Sequence, residues 1–182
     1  MKFEKTFLDG VLIIFPEVFK DSRGYFFESF SKKKYEEIGI RGEFVQDNIS
    51  KSTYATIRGL HYQVSPFLQG KLCQVIKGKV LDVAVDIRFG SPTFGKHISV
   101  VLSDNEPKQI WIPPGFAHGF SVLSDEAIFS YKCTGYYNRE SERCILYSDP
   151  LLSIDWQVAN PIVSEKDLNG KLLRAIEKDF VI

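Results

Sequence analysis

The chain has 182 residues, 44% hydrophobic and 25% charged, which suffices for one domain over residues 1–182 with a core that needs no disulfides. Its 23 basic and 23 acidic side chains cancel, which argues against a nucleic-acid partner, because a duplex binder carries a clustered basic excess. The longest early apolar stretch, Val11 to Phe15, ends at Pro16, too short for a signal or a membrane span; with Cys73, Cys133 and Cys144 forming no CxxC pair, a cytoplasmic protein with reduced thiols and no membrane contact is expected.

In chain order, Ser31 can cap a helix running through Ile38 and closed by Gly39, with Lys32-Lys33-Lys34 and Glu36-Glu37 as its solvated face. Short strands follow. In Val80 to Ile87, Val83, Val85 and Ile87 alternate with Ala84 and Asp86, the period of a strand. Ile98 to Leu102, Ile110 to Ile112, Phe120 to Leu123 and Ile128 to Tyr131 are similar pieces, separated by Gly, Pro, Asn and Asp turn signals. Gly90-Ser91-Pro92-Thr93-Phe94-Gly95-Lys96-His97 nearly spells a phosphate loop. His97 stands where the magnesium-binding hydroxyl is needed, and a strand-like run follows instead of a helix, so the segment reads as an inter-strand turn. Ser164 can cap a second short helix from Glu165. A turn every ~10–12 residues suits an all-β sandwich, barrel or jelly roll with small helices at its edges.

No HExxH or GxSxG is present, and the histidines are His61, His97 and His118. His97 lies in a turn-to-strand segment and reads as a surface residue. Pro113-Pro114-Gly115-Phe116-Ala117-His118 fits P-x-G-x-x-H, which resembles the second motif of the cupin family, where a tight turn aims the histidine into a barrel. Metal-binding cupins carry His-x-His in their first motif. The matching place here reads His61-Tyr62-Gln63, with one imidazole missing and no acid until Asp82, so no metal and no cofactor is expected. Arg58 and His61, three apart, point to opposite faces of a regular strand; a bulge at Gly59 would turn both inward. His61 then reads either as a working imidazole or as a buried core histidine.

Across nearly the whole chain the sequence resembles the deoxythymidine-diphosphate (dTDP)-4-dehydrorhamnose 3,5-epimerases. The segments that carry the resemblance are Asp21 to Glu28, Phe44 to Asn48, Arg58 to His61, Gly70 to Leu72, Asp82 to Asp86, Ser91 to Gly95, Pro113 to Phe120, Tyr131-Lys132, Asp155-Trp156 and Ser164 to Asp167. The resemblance implies a metal-free, cupin-type antiparallel jelly roll that inverts C3 and C5 of a dTDP-4-keto-6-deoxyhexose, with dTDP-4-dehydro-6-deoxy-D-glucose as substrate. Both carbons are α to the C4 ketone, so one enolate strategy serves twice. By the same resemblance His61 is the base, Asp167 its partner, Lys71 the cation beside the enolate oxygen and Tyr131 the acid on the opposite face. Asp167 reads equally, from its place alone, as a helix-start carboxylate, and Tyr131 as a core tyrosine.

His118 is implied as a substrate contact, Arg23 and Arg58 as diphosphate ligands, and Phe19, Phe26 and Tyr137 as aromatics near the nucleoside base. Glu28, Gln46, Asp47, Asn48, Glu142 and Lys166 match other substrate-contacting positions. The resemblance also implies a homodimer that exchanges N-terminal segments, so that Phe19, Arg23 and Phe26 serve the neighbour's site. Related cupins epimerise a single carbon, and a sugar-nucleotide binder without catalysis would keep the arginines and aromatics but need no base.

Overall fold

The computed structural model describes residues 1–182. Its strands in chain order are β1 (Lys2–Lys5), β2 (Leu12–Phe15), β3 (Val18–Asp21), β4 (Gly24–Phe27), β5 (Gln46–Thr53), β6 (Thr56–Gln63) and β7 (Lys71–Lys77). They continue with β8 (Lys79–Asp86), β9 (His97–Ser103), β10 (Gln109–Ile112), β11 (Phe116–Val122), β12 (Glu126–Cys133), β13 (Glu142–Cys144) and β14 (Ile162–Val163). One sheet has the order β1-β2-β10-β7-β12-β5, the other β13-β6-β11-β8-β9 with β14 beside β6, and β3-β4 forms a separate hairpin. All pairs are antiparallel except β14 with β6. The two large sheets face each other as a jelly roll, the expected class.

The strand period explains the layering. On β8, Val80 and Ala84 enter the core between the sheets, where Cys73, Ile110, Phe120 and Phe129 meet them. Leu81, Val83 and Val85 point the other way, against Ala117 and the C-terminal Leu152, Trp156 and Leu173. β8 is therefore covered on both faces, and its two carboxylates do not face water. Asp82 and Asp86 are fully buried. Asp86 is held near pKa 2: burial alone would raise it, but Arg88, Ser91 and Thr93 donate to it and win. That network ties down the turn that imitates a phosphate loop.

The two short helices stand where their caps predict. The first, α1 (Lys32–Glu37), begins after Ser31, although the Ser31 hydroxyl makes no capping bond, and Tyr35 anchors it by burial against the outer face of the first sheet. In the second, α2 (Glu165–Leu168), Ser164 Oγ accepts from the Asp167 amide at 3.2 Å. β11 starts at Phe116, four residues before the expected start at Phe120, directly after the Pro113-Pro114-Gly115 turn. His97 opens β9 half-buried rather than on the open surface, and burial lowers its pKa.

Candidate active site

A cavity of about 940 Å³ opens between the sheets. β6 lines one wall and supplies both Arg58 and His61. The cross-strand register shows how: His118 faces His61 and Phe120 faces Arg58, so one interval of two residues on β11 spans three on β6. This bulge restores both side chains to one face. Gly59 sits at its centre with φ +126°, and a Cβ there would lie 2.5 Å from the Gly119 Cα. The close approach of the strands thus requires glycine.

His61 meets a carboxylate from the far end of the chain. Its Nε2 lies 2.7 Å from Asp167 Oδ1, and the Gly59 amide donates to the other oxygen at 3.1 Å. Asp167 is almost wholly buried. Burial raises its pKa, but the His61 hydrogen bond and charge and the Gly59 amide outweigh it, so the carboxyl stays below its ordinary value. With Nε2 engaged, Nδ1 is the nitrogen left to act as a base.

The opposite wall comes from the first sheet. Tyr131 on β12 lines the same cavity and packs against Phe129, and burial pushes its phenol up to about 12, so it remains a proton donor at neutral pH. Lys71 on β7 also lines the cavity, where its Nζ donates to the His61 carbonyl at 3.4 Å. His118 Nε2 lies 2.9 Å from Asp82 Oδ2, and Asp82 Oδ1 has no protein partner. Burial lowers the His118 pKa against the pull of Asp82, leaving a neutral ring.

At the mouth, Glu142 accepts from Lys166 at 2.8 Å and from the Tyr137 hydroxyl at 3.1 Å. Burial raises the Glu142 pKa, yet Lys166 and its neighbours carry it below the usual carboxylate value. Gln46 and Asn48 line the wall and are bonded to each other at 3.0 Å.

Several expected residues stand elsewhere. Asp47 does not line the cavity: successive side chains on β5 alternate, so it turns from Gln46 and Asn48 and binds Lys132 at 2.8 Å. Glu28 pairs with Lys34 at 2.9 Å, and Arg23 pairs with Asp21 on the exposed hairpin. Phe19 and Phe26 are exposed there too, outside the cavity of their own chain. Conversely, Ser50, Ser52 and Gln63 line the cavity although sequence reasoning did not single them out. Their signal was the strand period, two and four residues from Asn48 and two from His61. Ser52 accepts from Arg58 Nε at 3.0 Å.

Two clusters offer ligand types within 4.8 Å: His61, Cys144 and Asp167, and Cys73, Asp82 and His118. In each, imidazole and carboxylate already bond one another. Both thiols stay protonated, Cys144 with a pKa pushed up to about 12 by burial and by Asp167, and Cys73 well above its usual value by burial. A cation that took the thiol as a ligand would have to deprotonate it, in Cys73 a buried one and in Cys144 a partly buried one.

Residues 5–175 match the model of a family described as dTDP-4-dehydrorhamnose 3,5-epimerase. A dTDP-4-dehydrorhamnose 3,5-epimerase of Shigella flexneri is 54% identical over 98% of each chain. The structure superposes on the dTDP-6-deoxy-D-glucose-3,5-epimerase of Legionella pneumophila in complex with dTDP-4-keto-L-rhamnose, with a TM-score of 0.93, 53% identity and coverage of 97% of this chain and 94% of that one. A 3'-monoepimerase from Streptomyces bikiniensis in complex with dTDP-quinovose gives 0.88 at 30% identity, covering 93% and 86%.

Proposed function

The chain belongs to the dTDP-4-dehydrorhamnose 3,5-epimerase family, and from that premise we infer how its cavity works. The protein is an isomerase that inverts C3 and C5 of a dTDP-4-keto-6-deoxyhexose. The observation that carries the assignment of roles is the placement of His61 and Tyr131 on opposite sheets around one cavity. A sugar ring lying between them presents one face to a base and the other to an acid.

In this reading His61 Nδ1 removes the proton α to the C4 ketone, and the electron pair of the C–H bond moves into the enolate, placing charge on the ketone oxygen. Asp167, held by the Gly59 amide, stabilises the imidazolium and fixes its tautomer. Lys71 is the fixed cation for the oxygen, an interaction that strengthens only as charge develops. The Tyr131 hydroxyl returns a proton from the opposite face. Solvent takes the proton from His61 and restores the one on Tyr131, so each inversion admits a solvent hydrogen. The cycle then repeats at the second carbon.

His118 contacts the sugar as a neutral ring, Arg58 binds the diphosphate as a fork, and Tyr137 meets the base near Gln46, Asn48, Glu142 and Lys166. The exposed hairpin with Phe19, Arg23 and Phe26 supports a homodimer in which these residues complete the neighbour's site. Mixing Arg23→Ala with His61→Ala protomers tests this: one restored site per heterodimer is expected, and no recovery refutes the exchange. Residues 1–182 act as one domain in this reading, and the unpaired thiols support a cytoplasmic location. No helix is long and apolar enough to cross a membrane.

Incubation with the 4-keto sugar nucleotide in D₂O tests the reaction. Deuterium at both C3 and C5 is expected. Deuterium at one carbon would make the protein a monoepimerase, and none would leave a binding module.

A further inference from the structure

We propose that Gln63 is the positioning residue that fixes Tyr137 at the cavity mouth, an inference that rests on the reading of Tyr137 as the base-contacting aromatic. Gln63 stands two residues after His61, where metal-binding cupins carry their second imidazole. It is 5% exposed, and its amide is fully engaged. Nε2 donates to the Phe67 carbonyl at 2.6 Å and the Tyr136 carbonyl at 3.0 Å, and Oε1 accepts from the Asn138 amide at 2.7 Å. Two of these bonds flank Tyr137 directly.

The segment they hold is tied at its ends, by the Thr134 amide to the Gly70 carbonyl and by the Val64 amide to the Ser141 carbonyl, and between them Gln63 grips both sides of Tyr137. Residues 134–141 form no strand or helix, so their backbone groups must find partners among side chains and other loops. Gln46 accepts from the Tyr137 amide at 2.8 Å, and Gln69 donates to the Gly135 carbonyl at 2.8 Å. The Tyr137 ring is half exposed, and its one hydrogen-bonding partner is Glu142 at its tip. Its direction is therefore set by the backbone on either side, which Gln63 grips. A ring already in place spares the ligand the cost of ordering it.

Gln63→Met conserves volume and removes all three bonds. The expected result is a Kd for dTDP and a KM for the sugar nucleotide raised about tenfold, with kcat within about threefold. In a Tyr137→Ala background the same substitution should change Kd by less than about twofold, because residues acting through one another are not additive. An equal penalty with and without Tyr137, or a fall in kcat with Kd unchanged, overturns the proposal. Hydrogen exchange on the wild-type protein gives a readout that needs no variant. The Asn138 amide, whose acceptor is Gln63, should already be protected without ligand; protection that appears only with dTDP overturns it. Deuterium entry by the wild type in D₂O tests the function separately from this role of Gln63.

Discussion

Replacing Asp167 by asparagine changes one atom of the dyad, and the structure says why that atom matters. Asp167 accepts on both oxygens, from His61 at 2.7 Å and from the Gly59 amide at 3.1 Å. An asparagine has one acceptor. If its oxygen serves Gly59, its NH₂ faces His61 Nε2, which must then accept, and the proton moves to Nδ1, the nitrogen needed as base. If its oxygen serves His61, two N–H groups collide at Gly59. In either orientation the negative charge opposite the imidazolium is gone. Unit charges ~4 Å apart at an effective dielectric of ~20 interact by about 4 kcal/mol, of which a part is recovered by solvent. A loss of about 3–4 kcal/mol in transition-state stabilisation is a fall of ~10²–10³ in kcat. Deuterium wash-in at C3 and C5, followed by NMR alongside product formation, measures it, with a thermal melt to establish that the variant is folded. A folded Asp167→Asn protein within fivefold of wild type at both carbons would refute the dyad as the source of the base.

Tyr131→Phe keeps the ring and its packing but removes the proton donor. Deuterium wash-in into the substrate should then outrun epimer formation; inversion of both centres at the wild-type rate would make Tyr131 a packing residue. Gly59→Ala introduces a Cβ 2.7 Å from the His118 carbonyl at a positive φ, so the bulge must open. A cost of about 3 kcal/mol in stability and loss of proton abstraction are expected, read by urea unfolding and wash-in; an unchanged midpoint would refute the close-approach argument. His118, Asp167 and Glu142 all have lowered pKa values in the folded state. The unfolded chain therefore binds more protons as pH falls. The His118 contribution is complete above its unfolded value of ~6.5 and is lost below it, and the carboxylate contributions are lost at lower pH still. Melting temperature should be level near pH 7–8 and decline below about 6.5; a rise on acidification would contradict the buried neutral imidazole.

The sequence alone determined the fold class, because alternation, turn residues and capping serines are local properties of the chain. Val80 to Ile87 displays its strand period, and Ser164 caps α2 as its residue type predicts. Resemblance in motif order also identified the family and nominated His61, Lys71, Tyr131 and Asp167. What the period could not say is which side of a strand meets water. The alternation along Val80 to Ile87 assigns no face to water, and in the structure β8 is covered on both sides, with Asp82 and Asp86 buried and Asp82 facing His118. Asp47 lies among cavity residues in sequence but on the far side of β5 in space, since neighbours in a regular strand point to opposite faces. The His61–Asp167 bond spans 106 residues, and the three bonds of Gln63 reach loops 4 to 75 residues away. Such contacts arise from packing one sheet on another and closing loops across the gap. No local pattern encodes them, so only the tertiary structure could decide which side chains meet.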